Sequence, residues 1–162
     1  GRALPGVRTE IVDGELAVDP ATVPSFFLGY DSAPAPPGMW RTGDQVRQDD
    51  DGWLFFQARA DDVIVSGGYR IGPGEVESIL LAHPSVREVA VVALPDAVRG
   101  HVVAAVVVLR DGFVPSDSLA RELQRYAKAE TAPYKYPRVV RFVDALPKTT
   151  TGKIHRSALR ER

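Results

Sequence analysis

The sequence predicts an α+β fold, and three observations carry that prediction. Up to about residue 60 the chain is a series of short alternating stretches with few helical periods. Beyond residue 61 two helical periods, each with its own start signal, are interleaved with β-branched apolar runs. At the start of the second region a Gly67-Gly68 pair interrupts a short apolar hairpin pattern. The expected architecture is a β-rich N-terminal segment (residues 1–60) and a small α+β C-terminal domain (residues 61–162). The domain is expected to contain a β-hairpin plus a mixed three-stranded sheet with two helices on one face.

The elements follow in order. Val7–Val12 and Glu15–Val18 flank Asp13-Gly14, a hairpin signal. The Pro-rich stretch from Ser32 to Gly38 reads as a loop. A second hairpin is expected from Asp44–Gln48 and Trp53–Gln57, joined through the acidic turn Asp49–Gly52. Trp40 and Trp53 are expected in the core. Val63-Ile64-Val65 and Tyr69-Arg70-Ile71 form the third hairpin pattern. Pro73 opens a helix, because proline fits a first turn whose amides lack intrahelical partners. Val76, Ile79, Leu80 and His83 mark its apolar face, with His83 structural, and Pro84 closes it. Glu88–Leu94 and His101–Leu109 read as buried strands. Ser116 or Asp117 caps a second helix to about Ala129, with Leu119, Leu123 and Tyr126 on one face. Arg138–Val143 is a last strand, and Ser157–Arg162 a terminal helical turn.

Composition narrows the function classes. The chain has 162 residues, 44% hydrophobic and 25% charged, enough for one core and a piece of another domain. A formal net charge of −1 gives no global field to recruit nucleic acid. Charge is uneven, however: from Tyr134 onward eight basic residues face two acids, a local +6. There is no cysteine, so disulfides, thiolate nucleophiles and Cys-based metal sites are excluded. No apolar run approaches the ~20 residues of a membrane span, and no signal-peptide pattern opens the chain, so a cytoplasmic location is the default expectation. A chain beginning at Gly1 without a methionine is expected to be part of a longer one.

Three segments carry chemistry. Arg41-Thr42-Gly43-Asp44 sets a carboxylate after a tight glycine turn, where it either caps the turn or accepts from vicinal ribose hydroxyls. Ala58 to Ile71 combines Arg59 and Arg70, the adjacent acids Asp61 and Asp62, and a Gly-Gly loop that lets backbone approach a ligand. Pro147 to Arg156 places Lys153 after a Thr/Gly stretch expected to be flexible. Lys153 reads either as a solvated cation or as a point charge for phosphate or carboxylate oxygens. Lys148 is its nearest competitor. His101 and His155 carry no ligand spacing, and Asp49-Asp50-Asp51 reads as a solvated turn, so no metal site is expected.

In this order and spacing the three segments resemble the adenylate-forming superfamily of acyl-CoA synthetases, adenylation domains and luciferases. Arg41-Thr42-Gly43-Asp44, Arg59-Ala60-Asp61-Asp62 with Gly68-Tyr69-Arg70-Ile71, and Pro147-Lys148-Thr149 with Gly152-Lys153-Ile154 carry the resemblance. Thr131 to Arg138 is similar to the medium-chain branch. The resemblance covers essentially the whole chain, but only the C-terminal part of the family's. It implies an ATP-dependent ligase that turns a carboxylate into acyl-AMP and pyrophosphate, then uses CoA to give acyl-CoA and AMP. It further implies that Asp44 and Arg59 hold the ribose of ATP or AMP, with Arg70 near the nucleotide, and that Asp61 is the hinge. Gly67, Gly68 and Tyr69 would line the CoA channel, Arg99 and Lys128 would hold CoA phosphates, and Lys153 would be the catalytic lysine of adenylation.

Departures from the family pattern are Ala58 in place of glycine and Val65 in place of lysine. The phosphate loop and acyl pocket are absent, so these 162 residues alone are expected not to adenylate, and the Mg²⁺ that accompanies ATP is expected to bind outside them. The missing N-terminal domain is therefore an expected partner. Two alternatives stay open. One is an adenylation domain that loads a carrier protein; the other is a non-catalytic interaction module that uses its basic tail.

Overall fold

The computed structural model describes residues 1–26, 29–30, 33–34 and 37–160. The chain divides into two compact units, Gly1–Asp61 and Asp62–Arg162.

In the first unit, β1 (Thr9–Val12) and β2 (Glu15–Val18) form the Asp13-Gly14 hairpin. Both turn residues have positive φ, 54° and 81°, as a tight two-residue hairpin turn requires. A 3₁₀ turn follows at Pro20–Thr22, with Asp19 accepting from the Ala21 amide. Part of the Pro-rich stretch lies outside the described residues. β3 (Gly29–Tyr30), just before it, pairs with β4 (Ala33–Pro34) inside it. β5 (Trp40–Gln48) and β6 (Leu54–Arg59) complete a four-stranded antiparallel sheet in the order β1-β2-β5-β6. Pairing of β5 with β6 starts at Asp44, where the sequence pattern sets the hairpin, and β5 itself begins earlier because Trp40 and Arg41 pair with β2. The expected turn holds: Asp49 Oδ1 accepts from the Asp51 and Trp53 amides at 3.1 and 2.8 Å.

Trp53 corrects one expectation. It is 44% exposed rather than buried, and the Arg2 guanidinium lies 4.7 Å from its ring centre. An indole face is a good partner for a cation, so an exposed Trp beside an Arg is not stranded. Trp40 is half-buried and meets Phe26 edge-on at 5.6 Å.

The second unit begins with the hairpin β7 (Ile64–Ser66) and β8 (Tyr69–Ile71), turned by Gly67-Gly68. Helix α1 (Pro73–Leu81) stops three residues before Pro84. His83 therefore lies past the helix end, still only 6% exposed. Its Nδ1 is 2.8 Å from Ser85 Oγ and its Nε2 3.3 Å from Glu122, which satisfies both ring nitrogens. β9 (Val86–Asp96) and β10 (Gly100–Leu109) are antiparallel. α2 (Asp117–Glu130), capped by Ser116 Oγ, supplies the crossover that lets β11 (Val139–Phe142) pair parallel to β10. α3 (Ser157–Arg160) ends the described chain.

Both faces of the β9–β10 pair are apolar, and each has its own cover. Val89, Val91, Val103, Ala105 and Val107 pack under α1, α2 and the β7–β8 hairpin through Val76, Leu80, Leu123, Ala127, Ile64 and Ile71. Ala90, Val92, Leu94, Val102, Ala104, Val106 and Val108 face the other way, onto Leu146, Ile154 and Leu159. The sequence predicts the first cover; the second is the segment that carries Lys153. Leu→Ala in a packed core removes apolar contact and leaves a cavity, at about 2–5 kcal/mol. Leu159→Ala is therefore expected to lower unfolding stability in urea by about as much as Leu123→Ala, though one lies in the terminal turn and the other mid-domain. A loss below about 0.5 kcal/mol, typical of surface changes, would show that the tail is not part of the core.

Candidate functional site

The expected site residues fall into two groups, one in each unit. In the first unit β5 and β6 set Asp44 directly opposite Arg59. Arg59 Nη1 donates to Asp44 Oδ1 and to the Thr42 carbonyl, both at 3.0 Å, and its Nε lies 3.6 Å from Asp61. The hydrogen bond to Asp44, with the nearby Asp61 charge, raises the Arg59 pKa. Gly43 is at φ +76°, and a Cβ there would sit 2.6 Å from Arg59 Nη2. Glycine is thus required twice, by the backbone and by the guanidinium lying across it. Asp44 and Arg59 keep 36% and 51% of their side chains exposed, so the pair is open to a ligand.

Glu15 holds this turn from behind, and sequence reasoning missed it. Its Oε1 accepts from the Gly43 amide at 2.8 Å and its Oε2 from Arg41 Nε at 2.8 Å. Thr42 Oγ1 donates to the Leu16 carbonyl at 2.9 Å. Glu15 is 8% exposed, and the Arg41 hydrogen bond holds its carboxyl below the ordinary glutamate value of 4.5. Nothing in the sequence marks Glu15, since its partners lie 26 and 28 positions away.

In the second unit the Gly67-Gly68 turn has φ values of +55° and +86°. The Gly67 amide donates to the Arg99 carbonyl at 3.1 Å. Arg99 is itself placed by Asp96, whose Oδ1 accepts from the Arg99 and Val98 amides at 2.8 and 3.0 Å. Those two donors lower the Asp96 pKa. Tyr69, next in the turn, stacks on Tyr134 with centroids 4.0 Å apart. Arg70 is exposed on β8, opposite Val65.

Lys128 lies elsewhere, in a cleft of about 540 Å³ lined also by Ser118, Arg121, Gln124, Arg125 and Tyr136. Arg138 covers the Tyr136 ring at 5.1 Å and Lys128 at 5.6 Å. Among the described residues no hydrogen bond, ion pair or ring contact joins Lys128 to Arg99. Sequence reasoning passed over this cationic cleft, although Arg121, Arg125 and Lys128 share one helix face by spacing.

Lys153 is not on a loose stretch. The Gly152 amide donates to Thr149 O at 2.9 Å, and the Thr149 amide to Lys153 O at 2.7 Å. Thr149 Oγ1 accepts from the Lys153 amide at 3.2 Å, and Gly152 takes φ +81°. This is a hairpin turn closed by a left-handed glycine, and Lys148 bridges to Ile154 across it. Lys153 is exposed, and among the described residues its ammonium has no hydrogen-bond or ion-pair partner. Lys148, the competitor, pairs with Glu88 at 2.7 Å.

The +6 tail is also less free than its sequence suggests. Lys135, Lys148, Arg156 and Arg160 pair with Glu75, Glu88, Glu77 and Asp62. Among the described residues no three His, Asp or Glu groups are placed to hold a metal ion, and no helix is long and apolar enough to cross a membrane.

Residues 75–153, ending on Lys153, match the AMP-binding enzyme C-terminal domain family. The whole chain is 43% identical to an uncharacterized acyl-CoA ligase of Bacillus subtilis, YtcI. Residues 75–153 belong to this domain family of AMP-binding enzymes, and the chain is related throughout to acyl-CoA ligases. It is also 41% identical over its whole length to the human mitochondrial acyl-coenzyme A synthetase ACSM1. An ATP-bound RpMatB-BxBclM chimera is similar in structure over 99% of the chain, with TM-score 0.84 and 36% identity. The chain spans about a third of these proteins: 34%, 32% and 35% of their lengths.

Glu15 leads to a pH prediction. Its pKa is lower folded than unfolded, so its contribution is full above the unfolded value of 4.5 and is lost as pH falls through the lower folded value. Glu15→Gln is expected to lower stability at pH 7 and to flatten the stability curve on the acid side. Urea unfolding at pH 7 and near pH 3 should show the wild-type advantage shrinking; an advantage that does not change between them would contradict this.

Proposed function

We propose that the chain is the C-terminal part of an AMP-forming acyl-CoA synthetase, made of the β-rich end of a large domain, a hinge at Asp61 and a mobile domain. The observation that carries this reading is the unpaired ammonium of Lys153, presented on a fixed turn while Lys148 is held by Glu88. In adenylation a carboxylate oxygen attacks the α-phosphorus of ATP, an O–P bond forms, and pyrophosphate leaves. Two anions approach each other in that step. A cation between them offsets the repulsion and stabilises charge growing on the phosphorus oxygens. Lys153 would supply it, while Asp44 accepts from the ribose hydroxyls and Arg59 steadies Asp44. Arg70 would lie near the nucleotide.

In the second step the CoA thiol attacks the acyl carbonyl, gives up its proton, and AMP leaves. Lys153 has no part there. The Gly67-Gly68 turn, with no side chains to obstruct it, and Tyr69 would line the thiol's approach. A change of φ/ψ at Asp61, 77% exposed, would exchange one arrangement for the other. The cationic cleft around Lys128 favours free CoA over a carrier protein as acceptor, because only CoA brings a phosphorylated nucleotide end. Arg99 would meet a phosphate nearer the pantetheine arm.

Two outcomes test the reading in the intact ligase. Lys153→Ala is expected to cut carboxylate-dependent pyrophosphate release by on the order of 10²–10³, while CoA still converts preformed acyl-AMP at a near wild-type rate. Survival of both half-reactions would remove Lys153 from the chemistry. Lys128→Ala is expected to raise KM for CoA by about 10-fold, the worth of one charged hydrogen bond, and to leave KM for pantetheine unchanged. Equal effects on both thiols would place the nucleotide end elsewhere.

A further inference from the structure

Arg156 lies three residues past Lys153, in the tail that the sequence reads as solvated, but it is an internal tie. One Nη donates to both Glu77 oxygens at 2.8 and 2.9 Å, and the other lies 3.5 Å from Asp62. Arg160 donates to the second Asp62 oxygen at 2.8 Å. Only 24% of the Arg156 side chain, 14% of Glu77 and 17% of Asp62 are exposed. Glu77 Oε1 also accepts from the Val91 amide at 2.8 Å. Val91 is on β9, the outer strand of its sheet. One guanidinium therefore joins the tail to α1, through Glu77 to β9, and to the residue directly after Asp61.

The geometry points to Arg156 as a positioning residue for Lys153, making the lysine turn rigid with the domain and with the segment that leaves the hinge. This rests on the proposed role of Lys153 in adenylation. A lysine that acts in one half-reaction and withdraws for the next must travel with a rigid body, since a misplacement of about 1 Å can cost on the order of 10²-fold in rate. Leu159 and Ile154 hold the tail by apolar contact, which fixes depth better than direction. The guanidinium fork adds direction, because its two Nη groups bind carboxylates on separate elements. Asp62 in the network means that rotation at Asp61 reaches the tail without a slack link.

The test compares half-reactions in the intact ligase. Arg156→Ala is expected to lower kcat for adenylation by about 10-fold or more, with KM for ATP and carboxylate within about 2-fold. Thioester formation from preformed acyl-AMP should stay within about 2-fold. Backbone amides of Thr149, Gly152 and Lys153 should exchange hydrogen faster, and Arg156→Lys should restore part of the adenylation rate. Val107→Ala, a core change that lowers Tm, serves as the control for destabilisation alone. If Arg156→Ala slows both half-reactions equally, as that control would, or leaves adenylation unchanged, the proposal is overturned. Lys153→Ala separates the two ideas. If it leaves adenylation intact, the reading of the lysine fails; if it abolishes adenylation and Arg156→Ala does not slow it, only the positioning role fails.

Discussion

The second unit depends on a strand pair with no polar face. β9 and β10 are apolar on both sides, and water must be kept from each. Two helices and a hairpin cover one side. The other side is covered by Leu146, Ile154 and Leu159, which lie around the lysine turn. Burial of the sheet and placement of Lys153 are thus one requirement. A tail that peeled away would expose Val92, Ala104 and Val106 to water, so the lysine's segment is held by the same force that folds the domain.

Electrostatics refines what burial sets. In both units a carboxylate fastens a backbone segment next to a candidate site residue. Glu15 grips the Gly43 amide ahead of Asp44, and Asp96 grips the Arg99 amide beside the Gly67 turn. Glu77 takes the Val91 amide and Arg156 together. These are charge-assisted bonds to main chain, roughly twice as strong as neutral ones. They leave Asp44 and Lys153 exposed while removing freedom from the backbone beneath them.

Much of this was legible in the sequence, and the parts that were not share a cause. The Asp13-Gly14 and Gly67-Gly68 hairpins, the Pro73 and Ser116 helix starts and the apolar strands are local patterns, and each appears where its residues predict. Asp44 and Arg59 come together as neighbours across one hairpin. Glu15, Arg156 and the cover over the second face depend on pairings across 26 to 79 positions, which no local pattern encodes. Trp53 was misplaced because size and hydrophobicity argue for burial, whereas the Arg2 guanidinium supplies a partner at the surface. The Thr/Gly run before Lys153 looked loose because its residue types suit both a mobile loop and a tight turn; the hydrogen bonds of Thr149 decide for the turn.

The position of Glu77 has a consequence for how the protein behaves in a crowded solution. An outer strand carries a row of free amides that can recruit a strand from another molecule. β9 is long and apolar, which makes it a strong template for such pairing. Glu77 fills the Val91 donor, and the charged pair of Lys148 and Glu88 stands farther along the same strand. The contacts that set the lysine turn in place therefore also blunt the edge where copies of this chain would otherwise stick together.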